Sequence, residues 1–214
     1  MKLYNSIDGF SFHQLQYSLV GYTDPTVIIV KSTEGIFGFY SATRWKQSIS
    51  FYGSSDCFLF QMEPTFGVFR PLPESEQVKN SNNFMYLCTS SRHDVKLNGL
   101  AIGGTVQKPR VHITENFEKC EAGSFDYSFE KGSLLASDWD RYFDVEDIEV
   151  WGIGDDESTK RAMEDRRETR FAADALLRKA QKVNKSLLLM DFNSRAVDNK
   201  YFAHKDFTSD HQDM

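Results

Sequence analysis

Short runs of β-branched and aromatic residues, separated by turn-forming residues, constrain the fold of this chain most strongly. Each run is four to six residues long, and none alternates with helical segments in the strand–helix–strand order of a parallel sheet. The predicted strands cover residues 26–31, 36–40, 57–61, 67–70, 83–88, 99–103, 110–114 and 147–151. The pattern therefore predicts a two-sheet, mainly antiparallel β-sandwich.

Two local patterns refine this prediction. Residues 26–31 form a continuous β-branched run, which is typical of a strand buried on both faces. Gly35 precedes the run at 36–40 and can adopt the positive φ that a hairpin loop requires, so these two strands are expected to pair.

A short helix is predicted ahead of the strands, over residues 8–22. Phe12, Leu15 and Leu19 recur at helical spacing, and Gly21 can end the helix. The expected fold class is α+β, mainly β, with short helices flanking the sandwich.

The pattern changes after a glycine-containing boundary at residues 152–156. Ser158 is a suitable N-cap, and a helix over 159–190 would be about 48 Å long. Its apolar stripe consists of Ala172, Leu176, Ala180, Val183, Leu187 and Met190. The sequence thus predicts a body at 1–154, a basic amphipathic helix at 155–191, here called the C-terminal arm, and a polar tail at 192–214 expected to be poorly ordered.

Charge divides along the same boundary. Residues 1–154 carry 13 basic and 19 acidic side chains, whereas residues 160–190 carry 9 basic and 4 acidic ones. The net charge of the whole chain is −6, which argues against general binding of nucleic acid. The C-terminal arm is therefore expected either to bind a partner or to fold back on the acidic body.

Composition indicates a globular, cytoplasmic protein. Forty per cent of the residues are hydrophobic, but no run approaches the 18 apolar residues of a membrane span, and the N-terminus has no apolar signal region. Cys57, Cys88 and Cys120 lie far apart, without the pairing of a disulfide framework or a zinc site. They are expected to be free thiols.

The sequence contains no convincing catalytic or metal-binding pattern. The run at 91–94 has the residue types of a Ser/His/Asp triad, but side chains of four consecutive residues cannot normally meet around one transferred proton. The segment beginning at Asp138 resembles a calcium-binding loop, but it lacks the oxygen ligand at the fifth position and the glycine at the sixth. The glycines of 98–104 fit tight turns better than phosphate binding. His112, predicted to share an outward face with Arg110, is expected to be a rim residue. No catalytic residue, metal ligand or cofactor is predicted.

Several motifs, in this order, resemble the TLDc domain of the oxidation-resistance family. The motifs are Leu-Tyr-Asn-Ser-Ile-Asp-Gly-Phe-Ser-Phe at 3–12, Ile-Ile-Val-Lys at 28–31, Ile-Phe-Gly-Phe-Tyr-Ser at 36–41, Phe-Tyr-Gly-Ser-Ser-Asp-Cys-Phe-Leu-Phe at 51–60, Asn-Gly-Leu-Ala-Ile-Gly-Gly at 98–104 and Phe-Asp-Val-Glu-Asp-Ile-Glu-Val-Trp-Gly at 143–152. The long helix expected after the last motif resembles the EF-hand-bearing, lysosome-associated branch. This sequence begins at the first TLDc motif.

The resemblance implies a sandwich of two antiparallel sheets and a role in oxidative-stress resistance. It also implies binding to subunits of the vacuolar-type proton ATPase, to which the C-terminal helix contributes in that branch, and a place at the lysosome or vacuole surface. No catalytic residues are established for the family. Which subunits are contacted, and whether the pump is stimulated or inhibited, stays open.

The leading hypothesis is therefore a non-enzymatic protein-interaction module. The predicted partner-binding residues all lie on the C-terminal arm and are Arg166, Arg167, Arg170, Phe171, Leu176, Arg178, Lys179, Val183 and Leu187. Apolar members would pack against the partner, and rim arginines would steer association.

Two alternatives remain open. The C-terminal arm has the basic amphipathic pattern of a peripheral membrane adaptor that binds anionic lipids, although its acids and small stripe residues argue against this. A redox role for the cysteines is disfavoured, because Cys57 and Cys88 lie within apolar strand patterns, where thiols usually pack inertly.

Overall fold

A computed structural model of the chain describes residues 1–73, 83–89, 96–136, 141–155, 157, 159–161, 163 and 164. A 3₁₀ helix (Ser6–Asp8) and α1 (Phe12–Val20) lie near the N-terminus. The strands are β1 (Lys2–Asn5), β2 (Thr26–Ser32), β3 (Gly35–Ser41), β4 (Cys57–Glu63), β5 (Gly67–Phe69), β6 (Met85–Cys88), β7 (Gly99–Gly104), β8 (Pro109–Ile113), β9 (Cys120–Ala122), β10 (Tyr142–Phe143) and β11 (Val145–Gly152).

The strands form two antiparallel sheets. The larger sheet has the order β1-β11-β2-β3-β4-β5, and the smaller has the order β10-β9-β8-β7-β6. β11 lies between β1 and β2, so the last strand of the body pairs with both of the first two strands. This closure ties the two ends of the body together.

One apolar core takes side chains from both sheets. Alternation places Ile28 and Val30 of β2 in it, and the smaller sheet contributes Leu100, Val111 and Ile113. α1 adds three buried side chains at helical spacing, which are Phe12, Leu15 and Leu19. The mainly β prediction and the two antiparallel sheets are therefore confirmed.

All eight predicted strands are present, with bounds shifted by a few residues. Gly35 has a φ of 144° in the hairpin between β2 and β3, as expected. Three strands were not predicted, namely β1, β9 and β10, which are only two to four residues long. Each is too short to show a strand pattern of its own, and β1 in addition pairs with β11 at the other end of the body.

The prediction that residues 26–31 are buried on both faces is wrong. Ile28 and Val30 are buried, but Val27 and Ile29 are half-buried and Lys31 is exposed. Only one face of β2 therefore enters the core.

The predicted helix over 8–22 begins too early. Gly9 has a φ of 121°, which interrupts helical geometry after the 3₁₀ turn. Ser11 then caps α1, with its side chain accepting a hydrogen bond from Gln14 N at 3.4 Å.

Strand β8 departs from simple alternation at Arg110. His112 is half-buried at the rim, and its Nε2 lies 2.8 Å from Asn98 O. Arg110, expected on the same outward face, is instead fully buried and paired with Asp126 at 3.4 Å. A buried guanidinium requires such a partner, and Asp126 lies in the loop between β9 and β10.

The chain beyond the sandwich is only partly described. Met1–Met163 form one compact unit, and Glu157, Thr159–Arg161, Met163 and Glu164 are helical. The rest of the predicted C-terminal arm and the tail lie outside the described residues, as does the predicted N-cap Ser158. Among described residues, no helix has the length and apolar character needed to cross a membrane.

Candidate functional site

The outer face of the larger sheet is unusually apolar. On this side, opposite the core, four neighbouring strands from the middle of the sheet and the edge strand β5 carry large hydrophobic side chains. We call this surface the aromatic face, and its members are Val27, Ile29, Tyr40, Phe58, Phe60, Met62, Val68 and Trp151. None of the eight belongs to either buried cluster of described residues. Met62 is exposed and the other seven side chains are half-buried, so the aromatic face is partly accessible apolar surface. A contiguous surface of this kind marks a site of interaction more often than isolated exposed residues do.

Strand register aligns these side chains in two rows. In the first row Val27 of β2 lies between Trp151 of β11 and Tyr40 of β3, and Tyr40 is opposite Phe58 of β4. Because residues directly opposite each other on one face are in contact range, the row is continuous across four strands.

The second row includes a glycine that an aromatic ring covers. Gly38 lies between Ile29 and Phe60, and Phe60 is opposite Val68 of β5. A Cβ on Gly38 would lie 2.3 Å from Phe60 Cζ, so the ring occupies the space that a side chain would need. Gly38 thus keeps the second row flat.

Ring contacts hold the centre of the aromatic face in place. The rings of Tyr40 and Phe58 stack with centroids 5.0 Å apart, and Phe58 and Phe60 are 6.1 Å apart. Met62 follows on the same strand and is 48% exposed. Rigid aromatic side chains lose little conformational freedom on binding, which makes them good anchors for a protein interface.

A polar cluster borders the aromatic face at Trp151. Lys2 Nζ lies 5.0 Å from the Trp151 ring centroid and 2.7 Å from Glu149 Oε1. Trp151 Nε1 donates to Glu149 Oε2 at 2.8 Å. The hydrogen bond from Lys2 lowers the pKa of the Glu149 carboxyl. The indole is therefore fixed in orientation, and the apolar surface has a charged rim.

A groove runs beside Tyr40 and Phe58. It has a volume of about 450 Å³, and its other lining residues include Asp56, Arg70 and Pro71. The groove gives the aromatic face a concave edge with one charge of each sign, which an interface can use for specificity.

Metal-binding side chains and reactive thiols are the chemical groups that bear on catalysis in the described residues. The described residues contain no group of three His, Cys, Asp or Glu side chains that could hold a metal ion. The three cysteines are buried and free, as predicted. Burial raises the pKa of Cys57 to about 12 and also raises that of Cys120, so these thiols are protonated and poor nucleophiles at neutral pH.

The glycines of residues 98–104 have a role in backbone geometry, as predicted. Gly99, Gly103 and Gly104 have positive φ, and a Cβ on Gly99 would lie 2.2 Å from Ile113 O. These glycines serve close backbone packing. The rejected motifs at 91–94 and 138–140 lie outside the described residues.

The predicted partner-binding residues are nine side chains of the C-terminal arm. All nine, from Arg166 to Leu187, lie outside the described part of the chain. Sequence reasoning missed the aromatic face, although a signal was present. Residues 26–31 are apolar at both odd and even positions, and an apolar outer face accounts for that pattern as well as double burial does.

Comparison with known proteins adds a family and several relatives. The TLDc domain model matches residues 1–154. MTOR-associated protein MEAK7 of Xenopus laevis is 29% identical over 157 residues, covering 71% of this chain and 31% of that protein. The Danio rerio protein of the same name is 32% identical over 132 residues, covering 61% and 27%. Oxidation resistance protein 1 of Xenopus tropicalis is 25% identical over 152 residues, covering 68% and 15%. The chain spans less than a third of the length of each of these relatives.

Proposed function

This chain belongs to the TLDc domain family, and we propose that it is a non-catalytic regulatory module that binds a protein partner. The aromatic face is the observation that carries the proposal, because it presents stacked rings and a charged rim outside the core. Relatives named as MTOR-associated or oxidation resistance proteins support a regulatory role rather than a catalytic one.

The partner we propose is the vacuolar-type proton ATPase, at the cytoplasmic surface of the lysosome or vacuole. The resemblance of the sequence to the family supports this choice, and the basic C-terminal arm supports a two-part contact. In this mechanism the aromatic face binds one subunit, while Phe171, Leu176, Val183 and Leu187 of the C-terminal arm pack against another. Neither contact requires a chemical step.

Capture of the purified proton ATPase by the full chain tests the proposal. Tyr40→Ser combined with Phe58→Ser should lower the affinity at least tenfold, since interface anchors of this kind contribute about 2 kcal/mol or more. Leu176→Ala combined with Leu187→Ala tests the contact made by the C-terminal arm, and it should also lower the affinity for the proton ATPase.

A matched control is available on the same domain. Phe125 and Tyr127 are 45% and 55% exposed, and their ring centroids are 5.2 Å apart. Replacing both with serine removes an exposed aromatic pair that is not part of the aromatic face, and capture should stay unchanged. Equal loss of capture in both double variants would contradict a specific role for Tyr40 and Phe58.

The peripheral membrane alternative predicts a different result. A chain that reads anionic lipid through Arg166, Arg167 and Lys179 would float with phosphatidylserine vesicles at low salt without any pump present. Vesicle flotation together with failure to capture the pump would replace the proposed function by this one.

A link to oxidative-stress resistance forms part of the proposal. The relative named oxidation resistance protein 1 supports it. The burial of all three thiols, and the raised pKa of Cys57 and Cys120, argue that the link is not direct scavenging. Cells that depend on this protein should survive peroxide equally well when Cys57, Cys88 and Cys120 are replaced by alanine. Loss of survival in a folded triple variant would restore the redox hypothesis.

A further inference from the structure

A second surface, which shares no residue with the aromatic face, combines exposed aromatic carbon with two carboxylates. It is a shallow groove of about 400 Å³ lined by Phe10, Asn116, Phe117, Glu118, Asp144 and Val145. Three separate segments meet there: the loop before α1, the loop between β8 and β9, and the junction of β10 with β11. The lining contains two carboxylates and no cation.

Aromatic rings form the floor and one wall of this groove. Phe117 is buried, and its ring centroid lies 5.4 Å from that of Phe10 at an interplanar angle of 70°. Phe10 is 51% exposed, which is costly for a phenyl ring unless something covers it. Phe12, which belongs to the core, also packs against Phe117, with ring centroids 5.7 Å apart. Phe117 is therefore held between the groove and the core.

The carboxylates at the rim have no ion-pair partner among the residues that the structure describes. None of the ion pairs among the described residues involves Glu118 or Asp144. Asp144 Oδ1 accepts a hydrogen bond from the backbone N of Lys119 at 2.7 Å, which fixes its position but leaves its charge. Glu118 is exposed and extends from the same loop.

The loop that carries Glu118 is rigidly held. Phe117 and Lys119 adopt positive φ values of 62° and 51°, which are uncommon for residues other than glycine. Val145 N donates to Phe117 O at 3.0 Å, and Thr114 Oγ1 donates to Glu118 O at 2.7 Å. The groove therefore needs little rearrangement to receive a ligand.

We propose that this groove binds an arginine side chain of the protein partner. An arginine stem can lie along Phe10 and Phe117, while its guanidinium stacks on the exposed ring. The planar fork can then donate to the Glu118 and Asp144 carboxylates, which are acceptors without a competing cation. A purely apolar side chain would cover the rings but leave both charges beside it, and an acidic one would be repelled.

This inference rests on the proposed protein-binding function and names one feature that the partner must supply. N-acetylarginine amide is the probe, since its capped ends imitate a residue within a chain. N-acetylcitrulline amide is the matched control, because it has nearly the same shape and no charge.

The test is a titration of the isotope-labelled full chain, followed by amide resonances. Arginine amide should shift the signals of Asn116, Phe117, Glu118 and Lys119 in a saturable way, and citrulline amide should bind at least tenfold more weakly. Glu118→Gln should weaken arginine amide at least threefold. Glu115→Gln removes an exposed acid of the same loop that does not line the groove, and it should leave the affinity unchanged.

Equal shifts from the arginine and citrulline amides, or equal losses in the two glutamine variants, would overturn the inference. Retained dispersion of the other amide signals shows that each variant is folded. The titration contains no proton ATPase, so its failure removes the groove alone, whereas failure to capture the pump removes the proposed partner alone.

Discussion

Replacing Arg110 by methionine should destabilise the body severely. Arg110 is fully buried, and its Nη1 lies 3.4 Å from Asp126 Oδ1. Its Nη2 donates to the carbonyl oxygens of Glu130 and Gly132, and the guanidinium lies 5.8 Å from the Phe69 ring centroid. One side chain thus fixes the loop between β9 and β10 against the smaller sheet.

The size of the effect follows from what the substitution leaves behind. Asp126 has a side chain only 2% exposed, and methionine would leave its charge without a partner. Removing one member of a buried ion pair costs about 3–5 kcal/mol. For a domain of this size that corresponds to a fall in Tm of about 6–20 °C.

The pH dependence of the variant gives an independent check. Burial raises the pKa of Asp126 even with Arg110 present, and burial lowers the pKa of Arg110. Loss of the cation should raise the pKa of Asp126 further. A folded-state pKa above the unfolded value gives stability that is present below the unfolded pKa and lost as the pH rises through the folded pKa. The deficit of Arg110→Met should therefore be smaller at about pH 5 than at about pH 7.

Urea denaturation followed by tryptophan fluorescence measures these differences. Lys31→Met is the control, because the Lys31–Glu146 pair is exposed and should contribute no more than about 1 kcal/mol. Arg110→Met combined with Asp126→Leu should recover part of the loss, since neither charge remains. A cost below about 1 kcal/mol for Arg110→Met, or a double variant no better than the sum of its parts, would refute the reasoning.

Two further predictions concern alkaline stability and backbone geometry. Burial raises the pKa values of Cys57 and Tyr52 to about 12, so the stability they contribute is present below their unfolded values and is lost as the pH rises toward 12. Urea midpoints should fall above about pH 9, less steeply in Cys57→Ala, and an unchanged slope in that variant would contradict the prediction. Gly99→Ala should cost more than about 1 kcal/mol, because φ is 114° and the new Cβ would meet Ile113 O at 2.2 Å. In Gly123→Ala the nearest atom is 3.8 Å away, so thermal melting should separate the two variants clearly.

The local pattern of the sequence determined most of the sheet content. β2, β3 and β4 contain runs of β-branched and aromatic residues. Such runs can be recognised as strands from the local sequence, without knowing which strand each one pairs with. β1 has no such local signal, because its four residues form a strand only by pairing with β11. Lys2 and Glu149, whose side chains hydrogen-bond between these two strands, are 147 positions apart. The division of charge between the body and the C-terminal arm was likewise a property of the sequence alone.

Only the tertiary structure determined which side chains are buried in the core and which lie together on the surface. The continuous apolar run of β2 predicted burial on both faces, but the packing of the sheets made only one side core and left Val27 and Ile29 on the aromatic face. Arg110 was expected at the rim, and it is buried because Asp126 and two loop carbonyls enclose it. The groove lined by Phe10, Glu118 and Asp144 brings together residues from three separate segments. Contacts between such distant positions depend on strand register and loop path, which short-range periodicity does not specify.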